Sequence, residues 1–317
     1  MPTHQRAVQG FTELVFSACA MAVAISCLPG PLTADEPNME RLVCCGAAEV
    51  FVIDALDPQT KLWSWTASDS ASIPEDFHRK FRSTDDCKPY AGGVMLITSS
   101  SRGVALIERD TKRCLFLADV ANAHSACLLP ERQIAVAAST SGDEIQFFTY
   151  EDAGESARVA VSIPNQRIAL LGAHGTVWDA AREQLWALGT TELLQLQRSG
   201  TDGTSDAWSV VARHQLPSSG GHDLSPAHNG SHLWVTTETQ VLRFNMAEPS
   251  FDIAEGFGDQ RNVKSVDVHP QTQRLVYQQA LKTEWWSHTI RFADASPVTL
   301  ENERLYKIRW DAPAPRP

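Results

Sequence analysis

The sequence lacks the motifs of several large enzyme classes. Its 317 residues contain no glycine-rich phosphate loop, no GxSxG turn and no HExxH helix. Nucleotide hydrolysis, ordinary serine esterase chemistry and metalloprotease chemistry are therefore disfavoured. No CxxC pair occurs among the seven cysteines, so neither a zinc ribbon nor a disulfide framework is indicated.

Positive charge is also scarce. There are 27 Lys and Arg against 38 Asp and Glu, which gives a formal net charge of −11 at pH 7. Such a chain repels phosphate backbones, so we expect no nucleic-acid partner. With 43% hydrophobic and 21% charged residues, the composition is that of a globular protein and excludes collagen-like and disordered classes.

Residues 1–34 differ from the rest of the chain. Arg6 lies in a polar start, and the apolar run 14–28 ends at Pro29-Gly30-Pro31. This is the pattern of a secretory signal peptide, and the run is shorter than the roughly 20 residues of a membrane span. We expect residues 35–317 to form a single exported domain, periplasmic or extracellular, with no membrane span. The alternative is a buried or anchoring N-terminal helix.

Two of the seven cysteines belong to the leader, and an odd number is left for the domain. These cannot pair completely, so we expect most of them to be small buried strand residues. One disulfide would remain compatible with this count. The cysteines of the domain are Cys44, Cys45, Cys87, Cys114 and Cys127.

A sustained helical period is absent after the leader. Short β-rich runs bounded by turn residues recur instead, which indicates an all-β sandwich, barrel or propeller. Five segments align when each starts at a polar residue and passes a strand, a turn and a hydrophobic strand. Their openers are about 44 residues apart on average, the period of four-stranded propeller blades. The openers are Lys88, His124, His174, His222 and Lys264.

The two ends of the domain supply one further blade. Runs 42–45, 50–54 and 62–66 are three strands that lack an inner partner, and 305–310 is a lone strand. Pairing the lone strand innermost in the N-terminal blade leaves no free sheet edge. We therefore predict a six-bladed β-propeller with four antiparallel strands per blade, whose N- and C-terminal strands share one blade. A β-sandwich followed by a second domain is the alternative.

In a propeller, the residues that open the inner strands converge around the mouth of the central channel. The opener residues Lys88, His124, His174, His222 and Lys264 are therefore the candidate site. Asp223 could orient the imidazole of His222 or cap a strand turn, and Trp286 could stack on a sugar ring. Three hypotheses compete: a structural polar ring, a divalent metal ion bound by His124, His174 and His222, and a positive funnel for an anionic ligand.

The chain resembles a family of secreted bacterial six-bladed propellers of unknown function over essentially the whole domain. The residues that carry the resemblance include Ala123-His124-Ser125-Ala126, Ala173-His174-Gly175-Thr176, Gly221-His222-Asp223-Leu224, Trp285-Trp286 and Tyr306-Lys307-Ile308-Arg309-Trp310. The resemblance implies the fold and export, and it implies no activity. A looser similarity of site type, based on the Gly221-His222-Asp223 stretch, is to oligogalacturonate lyases, whose propeller channel holds a metal ion on several His.

The favoured functional hypothesis is a monomeric module that binds a small anionic or saccharide ligand at the channel mouth. Lys88 and Lys264 would supply charge, and Trp286 would stack. The alternative is a metal-dependent lyase on uronate-containing oligosaccharides, in which one divalent ion polarises a carboxylate and a Lys or His removes a proton. A protein-interaction scaffold is the third possibility.

Overall fold

The structure, a computed structural model, describes residues 40–151, 158–199 and 207–317. The predicted signal peptide, residues 1–34, lies outside the described residues. The described chain forms six β-sheets, each with four consecutively paired antiparallel strands. The predicted six-bladed propeller is therefore confirmed.

In each blade the strands are ordered from the axis outward. Blade 1 contains β25 (Lys307–Trp310), β1 (Arg41–Cys45), β2 (Val50–Asp54) and β3 (Lys61–Trp65). Blade 2 contains β4 (Thr84–Tyr90), β5 (Val94–Ser99), β6 (Gly103–Glu108) and β7 (Cys114–Asp119). Blade 3 contains β8 (Ala123–Leu129), β9 (Gln133–Ala138), β10 (Glu144–Thr149) and β12 (Gln166–Ala169). Between β10 and β12, the chain adds β11 (Val161–Ser162) to blade 2, parallel to β7.

The other three blades are regular in chain order. Blade 4 contains β13 (Gly175–Asp179), β14 (Gln184–Leu188), β15 (Glu192–Arg198) and β16 (Trp208–Gln215). Blade 5 contains β17 (Asp223–Pro226), β18 (His232–Thr236), β19 (Val241–Asn245) and β20 (Ser250–Ile253). Blade 6 contains β21 (Val263–Val268), β22 (Leu275–Gln279), β23 (Thr289–Phe292) and β24 (Val298–Thr299).

Helical structure in the described residues is confined to the connection between blades 1 and 2. It comprises α1 (Glu75–His78) and two 3₁₀ turns, Ala67–Asp69 and Arg79–Phe81. The ring of Phe81 packs edge-on against Trp65, with centroids 5.3 Å apart, which fixes this connection to the core. In the described part of the chain, no helix is long and apolar enough to cross a membrane.

Strand position explains the hydrophobic pattern. The second strands β5 and β9 are buried at every residue, because neighbouring blades cover both of their faces. The outer strand β16 alternates between less and more exposed residues along most of its length, as expected where one face meets solvent. This is why these second strands appear in the sequence as largely apolar runs.

The core is divided among the interfaces between blades. Alternate side chains of β1 point to opposite sides: Val43 and Cys45 join the cluster between blades 1 and 2, while Leu42 and Cys44 join the one between blades 6 and 1. Equivalent apolar clusters fill the other four interfaces. All five cysteines of the described residues are buried in strands and free.

The last strand closes the circle as predicted. β25 pairs with β1 in antiparallel register, from Leu42 opposite Trp310 to Cys45 opposite Lys307. It lies innermost in blade 1. Its observed bounds are two residues shorter than the predicted run 305–310, because Leu305 forms only an isolated bridge with Ser287 of blade 6.

Candidate functional site

Four of the predicted site residues lie together where the inner strands begin. His124 and Lys264 are the second residues of β8 and β21, while His174 and His222 directly precede β13 and β17. The ring centroids of His124 and His174 are 4.3 Å apart, and those of His174 and His222 are 5.2 Å apart. Lys264 Nζ lies 2.8 Å from His222 Nε2. The inner strands thus bring these side chains together at one mouth of the channel.

Lys88 is not among them. It does not open its strand, because β4 begins four residues earlier, at Thr84. The register of β4 slips at Asp85, as the registers of β8 and β21 slip at His124 and Lys264. Asp85 therefore takes the equivalent position in blade 2, with its Oδ1 atom 3.6 Å from His124 Nε2. The prediction of Lys88 as a strand opener is wrong.

Blade 1 supplies a sixth residue, Tyr306, which directly precedes β25. Its ring centroid lies 6.0 Å from that of His124. The sequence carries a partial signal for it, since the closing strand, predicted as 305–310, is expected to be innermost and to begin at the same mouth. The six residues form what we call the mouth ring: Asp85, His124, His174, His222, Lys264 and Tyr306.

The aromatic residue beside the mouth ring is Trp285. Its ring centroid is 5.6 Å from that of Tyr306, and the residue is 44% exposed. Trp286, the predicted stacking residue, packs instead against His288, at 4.9 Å, and under the guanidinium of Arg304, at 5.0 Å. Trp285 lies in a bend of the chain, and the two neighbouring side chains have different contacts.

Burial controls the protonation of the mouth ring. It lowers the pKa of His124 to about 4 and holds the pKa of His174 and of His222 well below the ordinary value. The positive charge of Lys264 adds to the effect on the pKa of His222. Burial also lowers the pKa of Lys264 to about 8. At neutral pH, the ring therefore combines neutral imidazoles, one ammonium group and the carboxyl group of Asp85, whose pKa burial raises to about 7.

Hydrogen bonds define the tautomers of the imidazoles. Nδ1 of His124 lies 3.0 Å from the carbonyl oxygen of Asn122, and Nδ1 of His174 lies 2.7 Å from that of Gly172. A carbonyl can only accept, so each Nδ1 carries the proton and each Nε2 presents a lone pair. At His222, the Lys264 ammonium donates to Nε2, and the buried Nδ1 has no hydrogen-bond partner among the described residues.

The tautomers bear on the predicted metal ion. An imidazole that donates Nδ1–H to a carbonyl has the orientation of a metal ligand, which suits His124 and His174. Nε2 of His222, however, accepts from Lys264. The described residues contain no group of three or more His, Cys, Asp or Glu that could hold a metal ion. The divalent ion on His124, His174 and His222 stays a prediction.

The carboxylate of Asp223 binds its partners deeper in the channel than the side chain of His222 lies. Its carboxylate accepts two hydrogen bonds from Arg309, from Nη1 at 2.8 Å and from Nη2 at 2.6 Å, and a third from the backbone N–H of Val266 at 3.0 Å. Lys307 Nζ lies 3.0 Å from its Oδ1. Asp223 therefore neutralises the charges of Lys307 and Arg309 in β25 and does not orient the imidazole of His222.

These contacts belong to a buried ionic cluster that fills the middle of the channel. Asp86 lies 3.2 Å from Arg309, 3.8 Å from Lys307 and 3.5 Å from Lys88. Although burial raises the pKa of a carboxyl, these cations hold the pKa of Asp86 below its usual value, and Arg309 and Lys307 do the same for the pKa of Asp223. We call Asp86, Lys88, Asp223, Lys307 and Arg309 the channel plug. One feature of the sequence indicates the plug: Lys307 and Arg309 are two residues apart, and so share a face, in a strand predicted to line the channel.

Fold and site together define a class: a six-bladed β-propeller with an ion-plugged channel and a His- and Lys-lined mouth. Within it, the chain belongs to a family described as "Family of unknown function (DUF6528)", whose sequence profile matches residues 33–313. No curated protein matches.

Solved structures with low sequence identity share the fold. A putative 6-phosphogluconolactonase from Bacteroides uniformis is 14% identical, with a TM-score of 0.53 over 84% of this chain and 82% of its own. A chain of the nidogen/laminin complex is 15% identical, with a TM-score of 0.55 over 85% and 97%. The WD40 β-propeller domain of Doa1 is 10% identical, with a TM-score of 0.51 over 75% and 71%. At these identities, the similarity is one of fold.

Proposed function

We propose that the protein is a binding module that holds a small acidic saccharide, such as a uronic acid, at the mouth ring. The observation that carries the proposal is the ammonium of Lys264, which lies 2.8 Å from a neutral imidazole at a channel mouth. It supplies one positive charge beside several uncharged hydrogen-bonding groups. That combination suits a ligand with one carboxylate and several hydroxyls.

The neutral imidazoles provide the hydroxyl contacts. Nε2 of His124 and Nε2 of His174 present lone pairs, so they accept hydrogen bonds from sugar hydroxyls without demanding a second charge. Trp285, exposed near Tyr306, offers an apolar ring face of the kind on which a pyranose packs. Lys264 then orients the carboxylate, which would make the site select acidic over neutral sugars.

A second candidate function is favoured by the pKa of Lys264. A lysine with a pKa of about 8 has a neutral fraction near physiological pH large enough for it to act as a general base. Such a base could remove the proton beside a uronate carboxylate in a β-elimination, which is the lyase alternative. The leaving group is the glycosidic oxygen on the β carbon, so only an oligouronate can react. Its unsaturated product absorbs ultraviolet light, which distinguishes turnover from binding.

The test is calorimetric titration of the protein with galacturonate and with its neutral counterpart, galactose. We expect galacturonate to bind more tightly and its affinity to fall with added salt, because salt screens charge pairs. Replacing Lys264→Met should weaken galacturonate binding roughly tenfold or more, the value of a charge-assisted hydrogen bond.

The matched control is Lys112→Met, which removes a lysine that pairs with Asp69 on the outer side of the protein. It should leave galacturonate affinity unchanged. Equal affinities of the Lys264→Met variant and the unmodified protein would contradict the proposal. If the protein forms an unsaturated uronate from oligogalacturonate and the Lys264→Met variant does not, the protein is the lyase and not a binding module.

A further inference from the structure

The second mouth of the channel holds a cavity of about 260 Å³. It lies where the inner strands end, whereas the mouth ring lies where they begin. Every inner strand contributes to its lining, so the cavity sits on the propeller axis. Each inner strand contributes at least one lining residue, and these include Lys88, Cys127, Val177, Ser225, Asp267 and Arg309.

Two cationic side chains line the floor of this cavity, and burial lowers the pKa of one of them, Lys88, against the raising effect of Asp86. Lys88 and Arg309 reach it from the channel plug, whose three cations exceed the two carboxylates of Asp86 and Asp223 by one charge. The ammonium of Lys88 donates to Thr176 O at 2.7 Å and to Ser125 Oγ at 3.0 Å. An ammonium has three N–H groups, so one remains for Asp86, 3.5 Å away, or for a ligand.

The carboxyl group of Asp267 on the floor is compatible with an anion. Burial raises the pKa of Asp267 to about 7, against the lowering effect of Arg309. Its Oδ2 accepts the backbone N–H of Trp310 at 2.7 Å. In its neutral form, Asp267 donates a hydrogen bond and does not repel a bound carboxylate.

The walls are mostly apolar, although the side chains of His228 and Arg316 also line the cavity. Trp178, Leu224, Val268 and Trp310 line them, and the segment 312–317 covers one side. This segment is fixed to the end of β4 by two backbone hydrogen bonds of Ala314, which donates to Pro89 O at 3.1 Å and accepts from Ala91 at 2.8 Å. The volume is slightly below the roughly 300–1,000 Å³ of pockets for drug-sized ligands, so the occupant is small.

We propose that this cavity is a second ligand site, and that it binds a small carboxylic acid with an aromatic or branched apolar body. The carboxylate faces Lys88 and lies near the positive charge of Arg309, whose hydrogen bonds go to Asp86, Asp223 and the carbonyl oxygen of Val266. The apolar body packs between Trp178 and Trp310. The site is separate from the mouth ring, because the buried channel plug lies between the two mouths.

The test uses phenylacetate as the probe, with uncharged phenylacetamide as its counterpart, in calorimetric titrations of the full chain. We expect phenylacetate to bind and phenylacetamide to bind at least roughly tenfold more weakly, since the amide lacks the charge that the floor recognises. Lys88→Gln should weaken phenylacetate binding by a similar factor. Lys264→Met should not change it, which separates this site from the proposed function of the mouth ring.

A pair of variants outside the channel plug gives a second test, because only one of the two fills the cavity. Ala180 is exposed and lines the cavity, whereas its neighbour Ala181 is exposed and does not. Ala180→Trp should abolish phenylacetate binding, and Ala181→Trp should retain it, with both variants melting like the parent. Phenylacetate binding unaffected by Ala180→Trp, equal binding of phenylacetamide, or no binding of phenylacetate at millimolar concentration would overturn the proposal.

Discussion

At the scale of single residues, two carboxyl groups at the ends of the channel, those of Asp85 and Asp267, have unusual pKa values. Burial raises the pKa of Asp85 and of Asp267 to about 7 each. A raised carboxyl pKa means that the folded state binds a proton that the unfolded state has already released. Between the unfolded value near 4 and about 7, stability therefore falls as pH rises, opposite to an ion-paired carboxylate.

The isosteric replacement Asp267→Asn removes this titration and can still accept the hydrogen bond from Trp310. We expect the stability of the variant relative to the parent to rise between pH 4 and pH 8. The rise should reach about 4 kcal/mol, since each unit of pKa is worth about 1.4 kcal/mol. Urea unfolding at several pH values measures it.

The control for this series is Asp110→Asn, on an exposed turn. Its stability relative to the parent should show no comparable rise with pH. A flat difference for Asp267→Asn as well would show that Asp267 is ionised in the folded protein at pH 5.

Residue positions are predictable from sequence where they repeat with the strands. His124, His174, His222 and Lys264 stand out because each opens or nearly opens an inner strand in a recurring register. The same pattern wrongly predicts Lys88 as an opener, because a register slip at Asp85 shifts β4. The amino-acid composition of a strand does not reveal such a slip. The pairing of Arg309 with Asp86, 223 residues away, depends on the closed circle and is not a local property of either segment.

At the scale of elements, β25 is the strand on which closure depends. It supplies the inner edge of blade 1 and two cations of the channel plug. A chain ending at Glu303 lacks β25, so β1 exposes a free edge and Asp86 and Asp223 lose their main partners. We expect its thermal unfolding, followed by circular dichroism, to lose cooperativity.

A chain ending at Asp311 is the matched truncation. It retains all of β25 and removes only the segment that covers the second cavity. It should unfold cooperatively. Closure by β25 would be refuted if the chain ending at Glu303 melted like the intact one.

At the scale of the whole molecule, the channel plug joins blades that are distant in the sequence. Asp223 of blade 5 contacts Arg309 of blade 1 and Val266 of blade 6, while Asp86 of blade 2 contacts Arg309 from the other side. Asp223→Asn leaves buried cations without a full counter-charge. We expect it to lower the free energy of unfolding in urea by about 3–5 kcal/mol, as for other broken buried ion pairs.

Two comparisons test the plug's role. The double variant Asp223→Leu with Arg309→Met removes both charges and should cost less than the sum of its single changes, because neither partner is left unpaired. Glu192→Gln breaks the exposed pair with Arg213 and should cost less than about 1 kcal/mol. Additive costs in the double variant would mean that the two residues contribute independently.

Closure by β25 also determines the order in which the native centre forms during translation. Asp86 and Asp223 leave the ribosome before Lys307 and Arg309, the cations that neutralise them. Early blades can pair their own strands as they emerge, since the four strands of blades 2, 4, 5 and 6 follow one another along the chain and those of blade 3 are interrupted only by β11. The axis cannot adopt its native charge balance until the final strand is released. A nascent chain that still lacks β25 therefore has Lys88 as the only plug cation beside Asp86 and none beside Asp223, and the release of β25 is the step that makes their burial favourable.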